Sequence, residues 1–310
     1  MQNETHRAGD HVRRFIFEQR PLRGHWVQLE DAWRALRAHT SYPAPVNALL
    51  GEAVAAAVLL AATLKFKGTL TFQLQGSGAV RLLVAQCTHD FKLRAVARWD
   101  AAAVSALEAG APCGPPFREL VGGDGRLTVT VEADERSQRY QGVVPLAGDS
   151  LAQCLEVYFA SSEQLPTRVI LAAADARAAG MLVQKLPGEG REPEEGSLAA
   201  WEEAARGIER LSARELLGGP VEAVLARAFA DQDLRLFRGS PVRFECRCSL
   251  GRVTGVLKAL GAGEIRDVLK EHGSVTVTCE FCQRPYEFDS IDIEALFAEG
   301  PGPETSPARH

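Results

Sequence analysis

The sequence predicts an α+β protein with three parts: an N-terminal, mostly antiparallel sheet domain around a buried helix, a helical linker, and a small C-terminal cysteine domain. Three observations predict it. Short alternating stretches follow one another through short loops, which favours an antiparallel sheet. One helix-length segment, PVNALLGEAVAAAVLLAATLK, is apolar nearly all round, so it belongs inside the molecule. Four of the seven cysteines fall in two tight pairs near the C-terminus, in FECRC and TCEFC.

The N-terminal domain spans 1–187. RRFIFE and HWVQLE read as strands, the second running into a helix at DAWRALRAH, and the apolar helix follows with Pro45 in its first turn, where the missing N–H is harmless. TLTFQLQ and AVRLLVAQ are strands joined by Gly76-Ser77-Gly78. A dinucleotide loop would need a helix after the glycines, so the GSG string reads as a hairpin turn. FKLRAVARW, RLTVTVEA and YQGVVPL continue the sheet, SLAQCLEVYFASSEQ is a helix, and RVILAAADA and GMLVQKL are two further strands.

Composition shifts at PGEGREPEEGS (187–197), rich in Gly, Pro and Glu, which marks the start of a linker over 188–240. Beyond it Leu198, Trp201, Ile208 and Leu211 share one helical face. Ser212 and Glu215 fit a capping box, and PVEAVLARAF adds a helix carrying Leu225 and Phe229. Such short helices are marginal alone in water, so they are expected to be ordered only while docked on another surface. The alternative is a permanently packed helical subdomain.

The chain of 310 residues carries a formal net charge of −5, which argues against a protein built mainly to bind phosphate backbones. The N-terminus has no secretory pattern, and the run VAAAVLLAATL falls short of a membrane span. A cytoplasmic address follows, and thiols there are held reduced. Seven cysteines are therefore no disulfide framework. Cys87, Cys113 and Cys154 are scattered and read as structural.

The module at 241–297, ahead of a flexible tail at 298–310, holds Cys246, Cys248, Cys279 and Cys282. The two pairs are separated by helices at RVTGVLKAL and EIRDVLKEH and a strand at SVTVT. Two pairs brought together give a tetrahedral thiolate cage, the donor set that suits one Zn2+ per chain, with an iron–sulfur cluster as the other chemistry such a set serves. A module of roughly 55 residues buries too little surface to be secure, and a bound metal contributes folding free energy. His272 reads as a surface residue near a helix end. Arg247, Arg252 and Arg284 either offset the charge of four thiolates or are plain solvated surface. Either cysteine pair is also close enough in sequence to close on itself if the metal leaves, giving labile bonds of the switching kind. Spacing alone thus leaves a metal site, a disulfide pair, or each in turn.

With these residues the chain resembles the redox-regulated heat shock protein 33 chaperones, also called 33-kDa chaperonins. FECRCSLGRV, VTCEFCQRPYEF, LLGEAVAAAVLLAATLKFKG, LTFQLQGSGAV and YFASSEQLPT carry the resemblance over about 15–297. The resemblance implies an ATP-independent holdase, not an enzyme, silent while reduced and zinc-bound. It implies disulfides Cys246–Cys248 and Cys279–Cys282 on oxidation, zinc loss, linker unfolding, a homodimer and capture of unfolded client proteins. The client surface would then include the face of Leu198, Trp201, Ile208, Leu211, Leu225 and Phe229. Two departures are the 187–197 insert and Leu250-Gly251 after CRCS, where polar residues are common in the family. Ser161 and Ser162 have no base beside them and take no catalytic role. The competing readings are a zinc-ribbon nucleic-acid-binding or regulatory protein, weakened by the acidic balance, and a thiol or metal enzyme, weakened because four thiolates close the coordination sphere.

Overall fold

A helix that is apolar on every side needs apolar neighbours on every side, and here two sheets supply them. The computed structural model describes residues 9–111, 114–133, 139–187 and 194–298. The chain divides into two compact units, Met1–Glu245 and Cys246–His310. The first unit opens with β1 (His11–Phe17), β2 (Leu22–Leu29), α1 (Asp31–Arg37) and α2 (Ala44–Thr63). Next come β3 (Gly68–Gln75), β4 (Val80–Thr88), β5 (Lys92–Trp99), α3 (Ala101–Gly110), α4 (Phe117–Val121), β6 (Arg126–Ala133) and β7 (Arg139–Pro145). Then follow α5 (Leu151–Tyr158) with a π turn at Phe159–Glu163, β8 (Thr167–Ala173), β9 (Ala178–Lys185), α6 (Glu194–Glu209), α7 (Ala213–Gly218) and α8 (Val221–Ala228). It ends on three short strands, β10 (Leu234–Leu236), β11 (Ser240–Pro241) and β12 (Arg243–Phe244).

One sheet runs β10-β1-β2-β9-β8, with β11 also on β1; the other runs β12-β5-β4-β3-β6-β7. Every pairing is antiparallel except the last, where β12 joins β5 in parallel. Helix α2 packs on strands of both sheets, and its residues share one apolar core with theirs. The helix is 20 residues long, longer than the apolar run alone indicates, and meets the length and composition of a membrane span. Most of that span is buried inside the unit, which makes it a core helix. The glycine-containing turn after β3 leads into antiparallel β4, as a hairpin requires. The predicted helix SLAQCLEVYFASSEQ is regular only to Tyr158; it then widens into the π turn and ends at Gln164, whose φ is +55°.

The first sheet is apolar on both faces. Val27 and Leu29 of β2 face the α2 core, while Trp26 and Leu22, with Phe15 and Phe17 of β1, build a second core under α6, α7 and α8. Gly24 makes room for this: it pairs with Phe15, whose ring would lie 2.1 Å from any added Cβ. Phe229 stacks edge-on to Phe17 at 5.1 Å and lies 5.9 Å from Phe15. Polar ties border the apolar contact. Arg13 pairs with Glu222 at 2.7 Å, and Gln28 Nε2 and Arg177 Nη1 both donate to the Leu217 carbonyl at 3.1 Å. The Ser212–Glu215 capping box forms in both directions. Sequence reading missed α3, α4 and β10–β12, and it missed Asp10, whose carboxylate accepts from the Glu30, Asp31 and Ala32 amides and caps α1 from a distance.

The second unit contains α9 (Leu250–Leu260), α10 (Ala262–His272), the hairpin β13 (Val275–Thr278) and β14 (Pro285–Phe288), and α11 (Ser290–Ala298). Its core is small: Val253, Leu257, Ile265, Val275, Tyr286, Phe288 and Ile293. Cys113, residues 188–193 and residues 299–310 lie outside the described residues, while the last four positions of the Gly/Glu-rich insert, from Glu194, form the start of α6.

Candidate metal centre

Each cysteine pair sits on a backbone that fixes its direction. Cys246 and Cys248 leave β12 and run into α9, whose N-cap Ser249 accepts from the Arg252 amide at 3.3 Å. Arg252 also reaches back to the Arg247 carbonyl at 2.7 Å, closing a small loop around Cys248. Cys279 and Cys282 occupy the turn of the β13–β14 hairpin. There the Cys279 amide donates to the Arg284 carbonyl at 3.0 Å and the Gln283 amide donates to the Cys279 carbonyl at 2.8 Å. Gln283 takes a left-handed φ of +53°, which turns the chain so that both sulfurs face the same way.

The four sulfurs converge. All lie within 4.8 Å of one another, with Cys246 3.6 Å from Cys279 and Cys248 3.5 Å from Cys282. The tetrahedral edge for metal–thiolate bonds of about 2.3 Å is about 3.8 Å, so the cluster has the size of a four-thiolate cage. His272 stands outside it, with its side chain 63% exposed. Arg284 lies over the Tyr286 ring at 5.4 Å. Cys87 and Cys154 are fully buried in the first unit, far in sequence from the cluster, and burial pushes both thiols up.

Electrostatics show why such a cluster wants a cation. Burial raises the Cys246 thiol, and burial followed by neighbouring thiols pushes Cys282 up to about 12. Burial also opposes ionisation of Cys248, but contacts with Tyr286 and the other three sulfurs outweigh it and bring that thiol down to about 7. Tyr286 is pushed up to about 12, by its contact with Cys248 first and by burial second. That contact is electrostatic and not a directed hydrogen bond, because the buried Tyr286 hydroxyl has no hydrogen-bond partner of normal geometry. Sequence reading did not single out Tyr286; an aromatic residue four positions after a ligand is an ordinary core signal. Four adjacent thiolates repel strongly, and a divalent ion reverses that balance by deprotonating its ligands outright. The residues can hold a metal ion.

The predicted client-face residues fall on the other unit. Ile208, Leu211, Leu225 and Phe229 are buried against the first sheet, Trp201 is partly buried on the same core, and Leu198 is exposed.

Comparison with known proteins agrees with this architecture. The model of the family described as Hsp33 protein matches residues 10–289. The chain belongs to the Hsp33 family. It is 41% identical over 301 residues to the 33 kDa chaperonin of Nitrosococcus oceani, covering 97% of this chain and 99% of that one. It is 42% identical over 289 residues to the 33 kDa chaperonin of Chromobacterium violaceum, covering 93% and 94%. The crystal structure of the 33 kDa chaperonin (heat shock protein 33 homolog) of Thermotoga maritima superposes with a TM-score of 0.76 over 92% of this chain and 97% of that one, at 24% identity. That likeness establishes the fold.

Proposed function

We propose that this Hsp33-family chain is a redox-regulated, ATP-independent holdase of the cytoplasm and not an enzyme. The observation that supports it most is the four-sulfur cluster on a unit with a seven-residue buried core. In the reduced state Cys246, Cys248, Cys279 and Cys282 hold one Zn2+, which when bound contributes the folding free energy that so small a core lacks.

Oxidation consumes those ligands. Each pair, Cys246–Cys248 and Cys279–Cys282, forms one sulfur–sulfur bond and loses two electrons. One peroxide per bond accepts them, breaks its O–O bond, and takes two protons to leave two waters. The sulfurs can then no longer hold the ion, and α9, α10 and the β13–β14 hairpin lose the crosslink that joins them. The segment over 188–240 undocks, exposing Trp201, Ile208, Leu211, Leu225 and Phe229 beside the already exposed Leu198, along with Phe15, Phe17 and Trp26 beneath them. Unfolded clients bind this apolar surface, and the active species is a homodimer.

The test is to treat reduced, metal-loaded protein with peroxide under mild heat. Metal content, free thiols and suppression of client aggregation are followed together. One zinc released per chain, four thiols lost and activity gained on the same time course is the expected result. Metal that stays bound, or equal activity in the reduced protein, overturns the reading.

A further inference from the structure

Four charges close a ring where β12 lies on β5. Lys92 opens β5 and Asp90 stands in the turn before it, while Arg243 opens β12 and Glu245 follows its end. Lys92 lies 3.0 Å from Glu245 and 3.5 Å from Asp90. Arg243 lies 3.6 Å from Asp90 and 3.4 Å from Glu245. Each cation therefore touches both anions. The backbone fixes the ring from both sides: the Arg243 amide donates to the Phe91 carbonyl at 3.1 Å and the Glu245 amide to the Leu93 carbonyl at 3.0 Å. Phe91 takes a left-handed φ of +59° between Asp90 and Lys92, and the Thr88 hydroxyl donates to Asp90 at 2.5 Å.

The register makes the carboxylates necessary. Arg243 and Lys92 are direct partners across the two strands, and like charges so placed push strands apart. Asp90 and Glu245 turn that repulsion into attraction. Two of the four pairs, Lys92–Glu245 and Arg243–Asp90, cross from one segment to the other and hold β12 down. The other two lie within one segment and keep the side chains aligned for the crossing. The Thr88 hydrogen bond first and Lys92 next hold the Asp90 carboxyl below its ordinary range; Lys92 first and Arg243 next do so for Glu245, and Glu245 holds the Lys92 ammonium above its own. All four groups are thus charged at neutral pH, which leaves dissolved ions as the lever. Their side chains are 27% to 53% exposed, so salt reaches them, and the screening length falls from about 10 Å at 0.1 M to about 3 Å at 1 M.

We propose that this ring is an ionic clasp that makes the docking of β12 on β5 depend on ionic strength, an input separate from the thiols. An exposed pair shifts such an equilibrium by about 1.4- to 5-fold, so two crossing pairs shift it by about 2- to 30-fold. β12 is two residues long and has little else to hold it. Glu245 is bonded to Cys246, so the clasp and the cysteine cluster act on one strand from consecutive residues. That loosening β12 also helps release the segment over 188–240 rests on the undocking reading above; the clasp itself does not.

The test measures residue-resolved hydrogen exchange of the Arg243 and Glu245 amides in the reduced, metal-loaded, full-length protein at 0.05 M and 1 M KCl. Protection is expected to fall about twofold or more at high salt. Glu245→Gln should lower it about two- to fivefold at low salt, and adding Lys92→Gln should restore part of that loss, because it removes the cation left facing Arg243. The double variant should also lose most of the salt dependence, with metal content unchanged throughout. Protection indifferent to salt in the parent, equal salt dependence in the double variant, or a further loss on adding Lys92→Gln overturns the clasp. Salt-dependent protection at β12 with no change at α8 and no gain in client binding upholds the clasp and counts against the undocking reading.

Discussion

Replacing Gly207 with alanine puts a methyl group where α6 crosses the end of α8. An added Cβ would lie 2.4 Å from the Ala228 carbonyl oxygen and 3.0 Å from two Phe229 ring atoms. The oxygen belongs to the backbone and cannot swing aside, so α6 and α8 must separate by about 1 Å to reach ordinary contact. Overpacking of this kind costs about 1–3 kcal/mol. Alanine favours the helix over glycine by about 1 kcal/mol, but α6 gains that wherever it stays helical, docked or not. That gain cancels, so the net loss of docking free energy stays at about 1–3 kcal/mol, which multiplies the undocked population by about 5 to 160. The substitution leaves the apolar face chemically intact, so a gain of client binding is not confounded by a damaged surface. Hydrogen exchange over 198–229 in the reduced, metal-loaded protein should show protection reduced by that factor. The same sample should suppress client aggregation without oxidant. Unchanged protection would show that the crossing relaxes cheaply. Reduced protection with no activity would show that the docked helices do not hide the client surface.

Phe229→Ala removes the ring stacked on Phe17 and should cost about 3–5 kcal/mol of docking, seen as a melting transition of the linker helices below that of the first unit. A chelator under reducing conditions should abolish the helical signal of α9–α11 while the sheet signal of the first unit survives, measured by circular dichroism and limited proteolysis. Mass spectrometry of the peroxide-treated protein should find Cys246–Cys248 and Cys279–Cys282. The contacts at 3.6 and 3.5 Å join opposite pairs, so cross-pair disulfides are the outcome that would refute the within-pair assignment. Glu52 on α2 is partly buried, and burial pushes its carboxyl from 4.5 to about 7. A folded pKa above the unfolded one gives stability that is complete below pH 4.5 and is lost as pH rises to about 7. Glu52→Gln should therefore match the parent near pH 4.5 and exceed it at pH 8 by about 2 kcal/mol, discounted because part of the side chain meets solvent. Equal melting temperatures at pH 8 would show that Glu52 pays no such penalty.

The parts of the fold legible in the sequence are those set by local pattern. The apolar run of α2, the alternation of β3 and β4 and the Ser212–Glu215 spacing each fix an element because the signal lies within a few residues of itself. The cysteine pairs are legible for the same reason, since C-x-C and C-x-x-C already contain half a coordination sphere each. What the sequence does not carry locally is pairing at a distance. β10, β11 and β12 are two or three residues long, too short for any periodicity, and exist only because β1 and β5 offer them partners. Likewise Asp10 caps α1 across some twenty residues of chain, and Tyr286 earns its place only once the hairpin turns it toward Cys248.

Those short strands also bear on how a change at the sulfurs can reach helices on another unit. The chain leaves α8 at Ala228, pairs with β1 through β10 and β11, pairs with β5 through β12, and arrives at Cys246 two residues later. β12 is held by two residue pairs, Arg243 with Lys92 and Phe244 with Leu93, with the Lys92–Glu245 ion pair at 3.0 Å beside them. A strand so short has little stability of its own and depends on what anchors its ends. When Cys246 is fixed in the cluster, that end is anchored. When the second unit unfolds, the end is freed, the restored chain entropy acts against β12, and each lost pairing in turn frees the stretch before it. On the proposed function, chain continuity through marginal strands would carry the change without a rigid lever. If this route operates, Arg243→Pro, which removes from β12 the amide that donates to the Phe91 carbonyl at 3.1 Å without touching a ligand, should lower hydrogen-exchange protection at β10 and α8 while metal content stays unchanged.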